Sequence, residues 1–411
     1  MTIGKHKMNV VLVEENNTPI ECQNMPETVA LEIVECYGRY FDLEFPNPHH
    51  SEAYKLRSKG YVGLFPLKSG NYIRVLPKVS CPSIWAMLMY AHGTSSMRWL
   101  QGQIACETIE QVFAAFAKEL VLRIEARCHS GLRWEYESRE GIGSPIRGRI
   151  QGPDYHHPWH IRFRFAEGGP DSLDNQILLW TLYSIRSMPW LQGLKMDIER
   201  VFRHLRSEIS LVAASVQALE RRKYNRQQED YRTMHLLCRF LLGGVAPGIH
   251  LGSLPSIPFA LHMATIFEQS ISSWLIHSLA GLWKIEKQWE LAIEGSENLR
   301  FRIDMALFER ERGTPLAVID TKYKLDREPA AGDIQQVVAY AVRLGVRVAI
   351  LVYPQTEIHS VSLQVGNVSV FSIGVDMGVG DWPQVGEGLN RRLIEILSHK
   401  YDYVNLERKH V

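Results

Sequence analysis

The stretch that decides the fold is Arg302-Ile-Asp-Met-Ala-Leu-Phe308, a turn at Arg312-Gly-Thr-Pro315, Leu316-Ala-Val-Ile-Asp-Thr-Lys-Tyr323, Gly332-Asp-Ile-Gln-Gln-Val-Val-Ala-Tyr-Ala-Val-Arg-Leu-Gly345 and Val346-Arg-Val-Ala-Ile-Leu-Val-Tyr353. The first run reads as a strand holding one acidic residue, Asp304. The second is an apolar strand ending in Asp320 and Lys322. Alternate side chains of a strand share a face, so these two project together while Thr321 points the other way. The third run is a helix with Asp333 suited to the N-cap and Gly345 to the C-cap region. Its residues Ile334, Val337, Val338, Ala341 and Val342 recur at the spacing of one buried face, and Gln336 and Tyr340, four apart, lie together on a neighbouring one. The fourth run is almost wholly apolar, as a strand in the middle of a sheet is. Strand, helix, strand at this spacing predicts a right-handed crossover between parallel strands.

That topology brings two carboxylates, Asp304 and Asp320, and the ammonium of Lys322 to adjacent strands of one sheet. Carboxylates that share a site repel, and each resists ionisation unless a cation lies between them. Mg²⁺ suits such a place, with Mn²⁺ able to substitute, because it keeps several waters and needs only one or two protein carboxylates plus phosphate oxygens. A bound ion of this kind lowers the pKa of a water and stabilises charge developing on phosphorus. Lys322 is then placed to hold or help deprotonate the attacking water and to balance the scissile phosphate. Asp-x-Lys alone is a chance match in a chain of ordinary composition. The information lies in the longer series: acidic residue on a strand, Asp-x-Lys on an apolar strand, helix with Gln-x-x-x-Tyr, apolar strand. The competing reading is a structural ion-pair cluster.

Around this segment lies a chain of 411 residues, 45% hydrophobic and 22% charged, with 46 Lys and Arg against 45 Asp and Glu. That excludes a disordered chain, a collagen and a disulfide miniprotein. A formal charge of +1 supplies no global pull toward nucleic acid or membrane, so any polyanion contact must come from local patches. Six cysteines occur without a Cys-x-x-Cys pair, which predicts free thiols in a reducing compartment. No run of apolar residues is long enough to span a bilayer, and Met1 to Met8 lacks a signal-peptide core. The expectation is a cytoplasmic protein without a membrane partner.

Two regions are expected: an N-terminal one over 1–245 and a C-terminal one over 255–411, divided by Gly243-Gly-Val-Ala-Pro-Gly248 and the prolines at 255 and 258. The first is mixed α+β. It is β-rich over 1–80, with a hairpin of Tyr61–Leu67 and Asn71–Pro77 about a Gly-containing turn, and helical over 83–129, where Val112, Phe116, Leu120 and Ile124 form a buried stripe. A basic β segment follows over 143–166, then helices over 174–242 broken at Met188-Pro-Trp190. Arg147 and Arg149 suit a phosphate or partner contact, or equally a solvated turn. Asp154-Tyr-His-His-Pro-Trp-His160 lacks a partner at a familiar metal-ligand spacing and reads as an exposed loop. Glu268 lies on the helix that opens the C-terminal region, where a solvated glutamate is the plain reading. Gln336 can reach DNA or the active site, or close a capping box with Asp333. Tyr340 reads as packing with its hydroxyl hydrogen-bonded.

The extended series resembles the PD-(D/E)xK nuclease superfamily. Asp320-Thr-Lys-Tyr-Lys324 followed by Asp333-Ile-Gln-Gln-x-x-Ala-Tyr-Ala341 is similar to its McrC branch, the nuclease subunits of McrBC-type modification-dependent restriction systems. Ile73-Arg-Val-Leu-Pro-Lys78, Gly131-Leu-x-x-x-Tyr136 with Arg147-Gly-Arg-Ile150, Asp174-Asn175 and Ile266-Phe-Glu268 match in the same order, so the resemblance spans most of the chain. Where that family commonly has proline before the first acidic residue, this chain has Ile303. The resemblance implies a restriction-endonuclease-like α/β domain, a mixed central sheet flanked by helices, with Asp304, Asp320 and Lys322 catalytic and Asp304, Asp320 and Glu268 on the metal. It further implies a nuclease that cuts double-stranded, modified DNA only in complex with a hexameric AAA+ GTPase or ATPase, which the N-terminal region engages and stimulates. No Gly-x-x-x-x-Gly-Lys-Ser/Thr loop is present, so this chain is expected to bind no nucleotide itself. A non-cutting adaptor of such a nucleotidase and a stand-alone nuclease are the alternatives. No chemistry is assigned to the residues after Pro354.

Overall fold

The computed structural model describes residues 10–401 except 16–18, 23–24, 48–52, 70, 92–106, 144–145, 147, 154–159, 215–223, 225–227, 244–257, 293–299, 326–327, 356–361 and 378–381. Arg147, most of the His-rich loop at 154–160 and the glycine- and proline-marked stretch before 258 therefore lie outside the described residues. The chain begins with β1 (Val10–Glu14), β2 (Ile20–Cys22), α1 (Glu27–Tyr37), β3 (Phe41–Glu44), β4 (Tyr54–Ser58), β5 (Tyr61–Pro66), β6 (Tyr72–Leu76) and α2 (Cys81–Ala91). It continues through α3 (Ile109–Ser130), β7 (Glu135–Gly143), β8 (Arg149–Pro153), β9 (Ile161–Gly169), α4 (Leu173–Ile185), a 3-10 segment at Pro189–Leu194, α5 (Lys195–Arg206) and α6 (Glu229–Gly243). The last part contains β10 (Phe259–His262), α7 (Met263–Ser278), β11 (Trp283–Ala292), β12 (Arg300–Glu309), β13 (Pro315–Thr321), α8 (Ala331–Leu344), β14 (Val348–Tyr353), β15 (Ser362–Val365), β16 (Val368–Gly374) and α9 (Trp382–Tyr401). Among the described residues no helix is long and apolar enough to cross a membrane.

The chain forms two compact units, and they are not the sequential halves expected. One joins residues 1–67 and 71–112 to 260–411; the other holds 68–70 and 113–259. The reason is strand pairing. β10 adds to β5 in the sheet β1-β6-β5-β10, and the Met263 N–H donates to the Gly60 carbonyl at 3.2 Å. The β-rich beginning of the chain thus shares backbone hydrogen bonds with the start of the C-terminal segment. Nearby, the Ser83 hydroxyl donates to the Met377 carbonyl, and Tyr90 stacks on Trp382 at 5.6 Å between centroids.

Within that first unit the site is carried by a six-stranded mixed sheet of order β11-β12-β13-β14-β16-β15. β11, β12 and β13 run antiparallel; β13, β14 and β16 run parallel, with α8 crossing from β13 to β14 as the pattern predicts. Every residue of β14 is buried, the state of a strand covered on both faces. The residues after Pro354 complete this sheet: β16 pairs with β14 and β15 closes the edge. Two details of α8 depart from expectation. Its N-cap is Ala330, without a side-chain cap bond, because Asp333 is drawn to Lys324 Nζ at 2.9 Å and accepts from the Tyr353 hydroxyl at 3.3 Å. Its buried face is turned toward Val337, Tyr340 and Ala341, leaving Val342 66% exposed. The C-terminal end is as read: Gly345 takes a left-handed φ of 76° and its N–H returns to the last turn.

The second unit contains the expected stripe of α3, with Phe116, Leu120 and Ile124 buried, and the helical break at Pro189. Its three-stranded sheet, β7-β9-β8, is held at its root by Asn175. The Asn175 side-chain amide donates to the carbonyls of Arg133 at 2.9 Å and Pro170 at 2.7 Å, one just before β7 and one just after β9. The Tyr231 hydroxyl in turn donates to Asn175 Oδ1 at 2.6 Å. Trp134, Tyr136, Ile142 and Ile150 stand exposed along this sheet.

Candidate active site

Asp320 closes an apolar strand whose other residues pack into the sheet, so its carboxylate is carried into a nearly dry place: its side chain is 2% exposed. Lys322, next but one, comes back on the same side, and its ammonium stands 2.7 Å from Asp320 Oδ2. That ion pair is what offsets the burial of Oδ2. The strand register pairs Met305 with Ile319, which sets Asp304 across from Asp320. Asp304 Oδ2 accepts from the Thr321 backbone N–H and from the Thr321 hydroxyl, both at 2.9 Å. Thr321 was expected to face away; it ends β13, and both its N–H and its hydroxyl reach Asp304 Oδ2.

A chain of polar contacts leads from Lys322 to the helix. Its Nζ donates to Gln336 Oε1 at 2.8 Å, and Gln336 Nε2 donates to the Tyr340 hydroxyl at 2.6 Å. Gln336 thus bonds Lys322 and makes no capping box, while Tyr340 is buried with its ring edge-on to Phe301 at 5.4 Å. Glu268 projects from the second turn of α7. Its carboxylate accepts from the Gln288 amide, whose oxygen accepts from Arg302 Nε. Gln288, Arg302 and Thr321 are the residues that sequence pattern missed. None carries a motif, and only strand pairing brings them in. Arg149 opens β8 in the other unit, exposed and across the ladder from Arg164.

The electrostatics follow from burial and like charge. Burial pushes the Asp320 carboxyl up to about 6; Asp304 adds to the rise and Lys322 opposes it. Burial likewise carries Glu268 up to about 7, with Asp304 and Asp320 raising it further and Arg302 and Lys287 opposing. Burial alone would depress Lys322, but Asp320, Asp333 and Asp304 outweigh it and move the ammonium upward. Asp320 and Glu268 therefore both feel the charge of Asp304, and a lysine beside them stays cationic.

Among the described residues no group of three or more His, Cys, Asp or Glu is gathered tightly enough to hold an ion. The donors at hand are two carboxylates on facing strands with a third alongside. The buried Asp320 carboxylate has the Lys322 ammonium on Oδ2, and a cation shared with Asp304 would further offset the repulsion between the two acids. All-oxygen, two-carboxylate and partly hydrated is the ligand set that Mg²⁺ takes, so the residues present fit that ion, with Asp304 and Asp320 as the side chains to hold it.

No curated protein matches the sequence. The fold is similar to that of McrC in a solved assembly: the refined half-complex from the tetradecameric assembly of Thermococcus gammatolerans McrB AAA+ hexamers with bound McrC matches with a TM-score of 0.62 and 15% identity, covering 94% of this chain and 100% of that one. The cryo-EM structure of the Thermococcus gammatolerans McrBC complex matches more distantly, with a TM-score of 0.43 and 16% identity over 66% of this chain and 88% of that one. A family model described as McrBC 5-methylcytosine restriction system component matches residues 56–354, the span that holds both the exposed sheet of the second unit and every residue of the site. The chain belongs to the family of McrBC 5-methylcytosine restriction system components.

Proposed function

We propose that this chain is the Mg²⁺-dependent DNA endonuclease subunit of a McrBC-type restriction complex. In this reading the C-terminal sheet is a PD-(D/E)xK nuclease core. The chain works in the cytoplasm, with an AAA+ GTPase or ATPase hexamer whose nucleotide hydrolysis it stimulates. The observation that carries the reading is the setting of Asp304 and Asp320 opposite each other, one residue past the last ladder pair Met305–Ile319, with the Lys322 ammonium 2.7 Å from Asp320. Membership of a restriction-system family supports the substrate class, and the fold neighbour comes from an assembly of McrB AAA+ hexamers with bound McrC.

Asp304 and Asp320 would hold Mg²⁺, with Mn²⁺ as a substitute. When bound, the ion supplies Lewis-acid stabilisation of phosphate charge and a more acidic water. The remaining work belongs to side chains. Lys322 is an ammonium at neutral pH and therefore orients water and offsets charge on the scissile phosphate. Gln336, fixed by Tyr340, keeps the ammonium aimed at the strand ends. Thr321 holds Asp304 in register with Asp320. Double-stranded DNA carrying modified bases is the substrate, and the exposed sheet β7-β9-β8, with Arg149 on it, is the surface that meets the partner.

The test is cleavage of modified plasmid DNA by Asp320→Ala and Lys322→Ala proteins in the presence of partner, nucleotide and Mg²⁺. Each variant should lose at least about a hundredfold in rate, the scale for removing one preorganised electrostatic group. Cleavage at the wild-type rate by both would dismiss these roles.

A further inference from the structure

Gln288 is the one non-glycine residue with a left-handed backbone among the described residues, at φ 52°. It sits inside β11, where an extended conformation is the rule and where Cβ of an L-residue meets its neighbours' carbonyls once φ turns positive. The ladder shows the consequence. Lys287 pairs with Met305 and Trp289 with Ile303, while Gln288 makes no pair. The skipped position is the one across from Asp304. A strained residue is thus inserted beside the first carboxylate of the candidate cation site.

The strain has a use that the side-chain bonds identify. The Gln288 amide donates to Glu268 Oε1 and its oxygen accepts from Arg302 Nε. Arginine only donates, so the orientation of the amide is dictated: oxygen toward Arg302, nitrogen toward Glu268. The neutral amide between Arg302 and Glu268 aims the carboxylate, and the ladder position of Gln288 across from Asp304 sets this pair of bonds beside the first acid of the site. We propose that Gln288 is a positioning residue: bonded to Arg302, it holds the Glu268 carboxylate beside the Asp304–Asp320 pair, where its charge strengthens the field that draws a divalent cation to that pair. This rests on the reading of that pair as a cation site.

Metal affinity tests it without reference to cutting, with Mn²⁺ binding to the purified full-length chain followed by electron paramagnetic resonance. Gln288→Gly removes the amide and relieves the backbone. Gln288→Met removes the amide and keeps the bulk. Both should weaken Mn²⁺ binding about tenfold, as loss of a group that orients a ligand does, and the Gly variant should melt no lower than the wild type. Asp320→Ala should lose more. Wild-type affinity in either Gln288 variant, with Asp320→Ala impaired, overturns the positioning role and leaves the cation site standing. Wild-type affinity in Asp320→Ala overturns the cation site itself.

Discussion

Glu15, just past β1, is fully buried, and its oxygens find no hydrogen bond of ordinary geometry. Lys78 and Tyr323 face it, yet burial prevails over the attraction of Lys78 and carries the carboxyl up to about 7. The folded chain therefore holds a proton between about pH 4.5 and 7 that the unfolded chain has released. Stability falls as pH rises through that window and stays lower above it. Glu15→Gln cannot ionise, so it should match the wild type near pH 4.5 and exceed it at pH 8, by up to about 3 kcal/mol. Urea denaturation at the two pH values measures the difference, and equal stabilities at pH 8 would contradict the burial. Tyr323 follows Lys322 directly, so the same carboxyl ties the first strand of the chain to the strand end that carries the site.

At the scale of elements, sequence periodicity resolved what strands and helices do alone and missed what they do to one another. The series from Arg302 to Tyr353 was legible because each run has a single dominant period, and β12, β13, α8 and β14 stand where that period puts them. Asp304, Asp320, Lys322, Gln336 and Tyr340 came with them. Thr321 and Gln288 did not, since their roles arise from a strand end and from a break in the ladder, neither of which has a residue signature. The rotation of α8 was missed for a related reason: two aliphatic stripes compete on it, and the packing of Tyr340 against Phe301 selects one. Val337→Ala, at a fully buried position, should therefore cost about 2 kcal/mol or more. Val342→Ala, largely exposed, should stay within about 0.5 kcal/mol of the wild type. Thermal unfolding of the two variants tells the faces apart, and equal losses would refute the observed rotation.

For the whole molecule, the chain passes between its two units more than once, the last time at 259/260. A composition shift reports where a chain is exposed; it cannot report that β10 will pair with β5 across nearly two hundred intervening residues. It follows that a fragment of residues 255–411 leaves β10 without its partner and uncovers Tyr323 and Phe267, so it should lack cooperative unfolding, whereas the full chain should show it. A sharp, reversible melt of that fragment in circular dichroism would contradict the discontinuous unit. The two activities of the proposed complex should also part company. Asp320→Ala should keep its stimulation of the partner's nucleotide hydrolysis, because the exposed sheet of the second unit is untouched. Partner turnover measured with and without the variant decides this; loss of stimulation would tie both functions to one site.

Whether acids from neighbouring strands share a divalent cation is read straight from anomalous scattering by crystals of the chain soaked in Mn²⁺. A peak about 2.2 Å from carboxylate oxygens of both Asp304 and Asp320 is the predicted result. Saturating Mn²⁺ that leaves this place empty, or binds only elsewhere, would contradict it.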